Sequence, residues 1–144
     1  MTLSRGPFLG LLPWTVLIFL WGCSLASAPA GKEPSIIVIR NHSGANLASA
    51  SLREATRPPG QATHFGSVAP VPDGVAQSIV RPTNPPPFPR EVAIEWRDLQ
   101  GGAHRREVSL AALLKNATGV RGEALVFEIG PAENVRVILE YHTP

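Results

Sequence analysis

From Leu125 to Tyr141 apolar residues recur at every second position in two successive runs, and this constrains the fold more than any other feature of the chain. Leu125, Phe127 and Ile129 share one face of an extended segment. Gly130 to Asn134 supplies a turn, and Val135, Val137, Leu139 and Tyr141 share one face of the return. Successive side chains of an extended chain point to opposite faces, so a period of two marks a half-buried strand. Pairing Phe127 with Val137 aligns Leu125 with Leu139 and Ile129 with Val135. The two apolar faces then coincide in one hairpin.

A second hairpin precedes it. Val92, Ile94 and Trp96 share one face of the segment from Glu91 to Arg97, while Glu91, Glu95 and Arg97 share the other. Asp98 to Gly102 contains two glycines and returns the chain. On the partner strand, from Ala103 to Leu110, Arg106, Val108 and Leu110 lie on one face. Pairing Ile94 with Val108 sets Val92 opposite Leu110 and Trp96 opposite Arg106, with a cation beside an indole ring.

The rest of the chain has the same texture. Ile36-Ile37-Val38-Ile39 is β-branched and apolar on both faces, which predicts a buried strand ended by the turn Asn41-His42-Ser43-Gly44. Leu47 to Arg53 is a weaker strand, Arg57 to Gly60 a break, and Thr63 to Val68 and Val75 to Val80 short strands around a Pro70-to-Gly74 turn. Ala111 to Lys115 fits one helical turn. Arg81 to Arg90 carries five prolines and Phe88. It reads first as a stiff crossover between sheets with Phe88 plugging the core, and second as a ligand for another protein's aromatic groove. Seven or eight short strands with no long helical pattern predict an all-β, antiparallel two-sheet sandwich over residues 35–144. Its general architecture looks like that of immunoglobulin-type sandwiches.

The N-terminus is of another kind. Arg5 is followed by an apolar stretch of about 15 residues, from Phe8 to Gly22, broken by Pro13. A membrane-spanning helix needs about 20. The pattern predicts a hydrophobic signal helix over residues 1–22 that is removed on export. Leu20-Trp21-Gly22-Cys23 resembles the lipobox of bacterial prolipoproteins, with Leu first and a small residue before the cysteine. The resemblance implies that Cys23 is lipidated, becomes the new N-terminus and holds the protein on the bacterial cell envelope, with the domain in the periplasm. The competing reading is ordinary cleavage near Ala30, which leaves a soluble secreted or periplasmic domain. Residues 23–34 are small, polar and proline-containing, and read as a tether.

Composition narrows the function. The 144 residues carry 13 basic and 11 acidic side chains. Arg5 leaves with the signal, and no basic stripe remains for nucleic acid. Cys23 is the single cysteine, so no disulfide forms within the domain and its stability rests on the apolar core.

No motif for a specific chemistry stands out. His42, His64, His104 and His142 lack the spacing of a metal pair on one strand or helix, and read as scattered surface residues. No serine lies in a G-x-S-x-G elbow, though Ser43 and Ser67 neighbour glycines. Asp73 and Asp98 read as turn formers, Glu91 and Glu95 as a solvated face. Asn41-His42-Ser43 and Asn116-Ala117-Thr118 match the glycosylation pattern, which has no role in a bacterial lipoprotein. The expectation is a non-enzymatic envelope protein without metal, cofactor or catalytic residues. It is anchored through Cys23 and binds or supports another envelope component. The alternatives are an exported hydrolase with a site assembled from separate strands, and a carbohydrate-binding module using Trp96 or Tyr141.

Overall fold

In a computed structural model, which describes residues 33–141, eight strands form two packed four-stranded sheets. The strands are β1 (Ile36–Asn41), β2 (Leu47–Glu54), β3 (His64–Val68), β4 (Ala76–Val80), β5 (Glu91–Asp98), β6 (Ala103–Ser109), β7 (Glu123–Ile129) and β8 (Val135–Tyr141). One short helix, α1 (Ala111–Asn116), lies between β6 and β7. The first sheet has the order β4-β1-β7-β8 and the second β3-β2-β5-β6. The signal segment and Cys23 lie outside the described residues.

The architecture is the expected sandwich with one departure: β1 and β7 pair in parallel, Ile37 opposite Leu125 and Ile39 opposite Phe127. These two strands are the central pair of their sheet. Parallel pairs occur where both faces are covered, and β7 is buried at every position except Glu128. Ile37, Ile39, Leu125, Phe127 and Ile129 face Leu52, Val92, Ile94, Trp96 and Leu110 across the main core. Of the residues expected there, Val108, Val135, Val137 and Leu139 are only partly buried, because they lie on the edge strands β6 and β8.

The face of the first sheet turned away from this core holds a second, smaller cluster, Val38, Ala124 and Val126, flanked by Ile36 and Ile138. An ionic lattice runs across it. Arg40 bonds Glu128 at 2.6 Å and Glu140 at 2.9 Å, and Arg136 bonds Glu128 at 2.6 Å. Arg40, Glu128 and Arg136 are in register across three strands. Glu140 is two rows away, so the Arg40 side chain reaches it across the row of Val38, Val126 and Ile138. Its aliphatic stem shields apolar surface while its guanidinium stays paired.

The two hairpins differ in how well the expected register holds. β7 and β8 pair as anticipated, Phe127 opposite Val137. β5 and β6 are displaced by two residues: Val92 faces Val108, Ile94 faces Arg106 and Trp96 faces His104. The turn causes the shift. Gly101, at φ 89°, closes a three-residue loop, and the Asp98 carboxylate accepts the Gly102 amide at 2.7 Å. This is the hairpin in which a turn is followed by a left-handed glycine. The cation–indole pair is replaced by Trp96 and His104, stacked at 5.4 Å between ring centroids.

The proline-rich segment crosses from β4 to β5, between the sheets. Phe88 is buried against Phe65, with ring centroids 5.3 Å apart. Arg81 is almost fully buried above Phe88, 3.9 Å from the ring centroid, and pairs with Glu33 at 3.1 Å. Glu33 also accepts the Phe88 amide. A buried cation is tolerated only when paired and hydrogen-bonded. Arg81 meets that condition and ties residue 33, where the described chain begins, to the crossover.

Candidate functional site

The strand directions sort the loops to two poles. The chain enters β1 at Ile36, beside the connections 55–63, 81–90 and 110–122. The far pole gathers four loops, 42–46, 69–75, 99–102 and 130–134, at the ends where β1, β5 and β7 finish. Asn41 organises part of it. Its buried amide donates to the carbonyls of Ala45 and Val71, at 2.7 and 2.9 Å, and its carbonyl accepts the Ser43 amide and hydroxyl. Asp73 accepts the Gly44 amide at 2.9 Å, which links two of the loops.

A shallow cavity of about 230 Å³ opens at this pole, floored by Leu47, Trp96 and Ile129 and rimmed by Ser43, Asp98, His104 and Glu133. His104 is the hub. Its Nδ1 lies 2.7 Å from Glu133 and its Nε2 lies 3.3 Å from Asp98. Arg106, two residues along β6, also pairs with Glu133. Asp98 comes from the end of β5 and Glu133 from the turn between β7 and β8. The imidazole therefore joins the two sheets where their edges meet.

The electrostatics are mutual. Hydrogen bonds to Asp98 and then Glu133 hold His104 above the ordinary imidazole value. The same imidazole, helped by the Gly102 amide, holds Asp98 below the usual carboxylate range. His104, with the charge of Arg106, does so for Glu133. While it is protonated, the imidazolium donates a hydrogen bond to each carboxylate and has no lone pair to offer. Ser43 lines the same cavity, but its hydroxyl donates its one proton to Asn41 at 2.7 Å, with the Ala45 carbonyl 3.1 Å away, and accepts the Ala45 amide at 3.3 Å. As arranged, these groups form a clamp.

The other residues singled out in the sequence are dispersed. His42 and His64 are exposed, and His142 lies outside the described residues. Glu95 pairs with Arg105 at 2.7 Å on the outer face of the second sheet, and Glu91 is exposed at the start of β5. Asn41 is buried, whereas Asn116 is exposed at the end of α1. Trp96 faces inward as expected, but Tyr141 is 62% exposed, because its strand ends at the rim. Its hydroxyl donates to Glu123 at 3.2 Å. Glu123 is a fully buried carboxylate. Burial pushes its pKa up, and the Thr118 and Gly119 amides with the Thr118 and Tyr141 hydroxyls bring it net below the ordinary value. Among the described residues, no three of His, Cys, Asp and Glu are grouped to hold a metal ion.

In the sequence His104 reads as a scattered surface residue, and nothing there singles out Glu133. Their meeting depends on the β5–β6 register and on the packing of a turn from the other sheet. The available signal was the Asp98-to-Gly102 turn, in which a left-handed Gly101 closes the loop over 99–101 and puts His104 beside Trp96. Family models, curated proteins and solved structures were all compared with this chain, and none matches it.

Proposed function

We propose that this chain is an exported, non-enzymatic, immunoglobulin-like β-sandwich, lipid-anchored at Cys23 on the bacterial envelope, and that its far loop pole binds another envelope component. The observation that carries this reading is polar geometry. The chain enters at one end of the sandwich, fastened through Glu33 and Arg81, and the four loops with the cavity gather at the other. A tether over 23–34 then joins the anchor to the pole opposite the loops. Loops on a rigid sandwich are the usual place for recognition.

Two measurements test it. Cys23→Ser should release the domain from membranes or block processing, and an intact mass starting at Gly31 without lipid would refute the anchor. A photocrosslinking residue at Leu99, exposed at the loop pole, should capture an envelope protein that the same residue at Val120, exposed at the opposite pole, does not. Equal capture at both poles would refute the polar assignment.

A further inference from the structure

Among the described residues, the outer edges of the two sheets are not alike. β4 and β3 are five residues each, and β3 carries Gly66 and a register shift against β2. β6 turns His104 and Arg106 toward the inner side of its sheet. Short strands, irregularities and inward charges are the devices by which proteins blunt an edge. β8 has none of them. It is a regular seven-residue strand at the edge of its sheet, without proline or glycine, paired residue for residue with β7.

The sequence of β8 is also self-complementary. Turning a second copy antiparallel about Ile138 places Ile138 opposite itself, Val137 opposite Leu139, and Arg136 opposite Glu140. Arg136 is 68% exposed and uses its Nε and one terminal nitrogen on Glu128. Donors remain on the guanidinium for a second carboxylate. Glu140 is already held by Arg40. Across such a seam the row Arg40–Glu128–Arg136 would continue into Glu140 and Arg40 of the second copy, twice by symmetry. Shifting the centre by one residue sets Arg136 opposite Ile138 and loses both pairings.

We propose that β8 is a homodimer interface, in which two copies pair antiparallel about Ile138 and join their β4-β1-β7-β8 sheets into one of eight strands. The interface is isologous, as a two-fold requires. Opposite charges directly across a strand pair stabilise it and fix its register. The two-fold also sets the two loop poles at opposite ends of the pair.

The test is thiol crosslinking of the full chain in a Cys23→Ser background, so that the introduced thiol is the only one. Ile138→Cys should form a disulfide with itself under mild oxidation, because directly opposed residues lie within disulfide reach. Arg136→Cys should not crosslink to itself, since the two copies of position 136 are four residues out of register, roughly 14 Å apart along the strands. Mixed with Glu140→Cys it should crosslink. Light scattering should give twice the chain mass for the native protein and a single chain mass for Arg136→Glu, with a thermal melt confirming that the variant folds. A native chain of single mass throughout a concentration series overturns the proposal. So does an Ile138→Cys chain that forms no disulfide, or an Arg136→Cys chain that crosslinks to itself as readily.

Discussion

The β5–β6 and β7–β8 hairpins are built from similar material and are read with different success. Each joins seven- or eight-residue strands, and each closes through three residues between its last facing positions, 98 with 102 and 130 with 134. In β7–β8 the inner faces carry matching apolar sets, so any two-residue slip strands an apolar side chain beyond its partner. In β5–β6 the partner strand offers Val108 alone among His104, Arg106 and Val108. A slip of two preserves which face is buried and costs little apolar contact, so the turn decides. Where both strands are apolar, patterning specifies register; where one strand is polar, turn chemistry does.

Core truncation should widen this contrast most. Phe127 is fully buried at the centre of the core, whereas Val108 is partly buried on an edge. Phe127→Ala should cost about 3–5 kcal/mol. Val108→Ala should cost about 1 kcal/mol. Chemical denaturation measures both, and similar values for the two would erase the distinction between the hairpins.

The turns separate the hairpins again. Gly101 meets a φ of 89° without penalty, while β7–β8 places Ala132 at 52° and Glu133 at 58°. Gly101→Ala should destabilise by more than about 1 kcal/mol, since an L side chain is strained there. Ala132→Gly relieves about 1–2 kcal/mol of left-handed strain. It gives back about 0.4–1 kcal/mol through the freer unfolded chain. The net effect is a small gain or none. A Gly101→Ala chain as stable as the native one would mean that the turn does not choose the register.

All eight strands, the short helix, the crossover and one hairpin register were legible in the sequence, because period two and turn residues are local signals. Three features were not. The parallel pairing of β1 with β7 joins strands separated by most of the domain, and β-branched residues on both faces report burial without naming a neighbour. The diagonal Arg40–Glu140 bond depends on two registers at once. The His104 clamp needs a turn residue, Glu133, from the opposite sheet, and a lone glutamate in a turn carries no pattern. The exposure of Tyr141 likewise follows from where its strand ends, which alternation does not reveal.

The smallest effect expected is the one that links the hairpins. His104 bonds Asp98 of one and Glu133 of the other, so the clamp holds only while the imidazole is charged and both carboxylates are ionised. The His104 pKa is raised on folding. Its contribution is therefore complete below the unfolded value of about 6.5 and is lost as pH rises through the folded value. The Asp98 and Glu133 pKa values are lowered. Their contribution is complete above the unfolded carboxylate values of about 4 and is lost as pH falls through the folded ones. The clamp should stabilise most between about pH 5 and pH 6.5, and less in high salt because its groups are part-exposed. Melting temperature against pH, for the native chain and for His104→Asn, should show a difference that peaks in that window and shrinks on both sides. A difference that persists unchanged to alkaline pH would mean that His104 contributes by stacking on Trp96, within one hairpin, and not by joining the two.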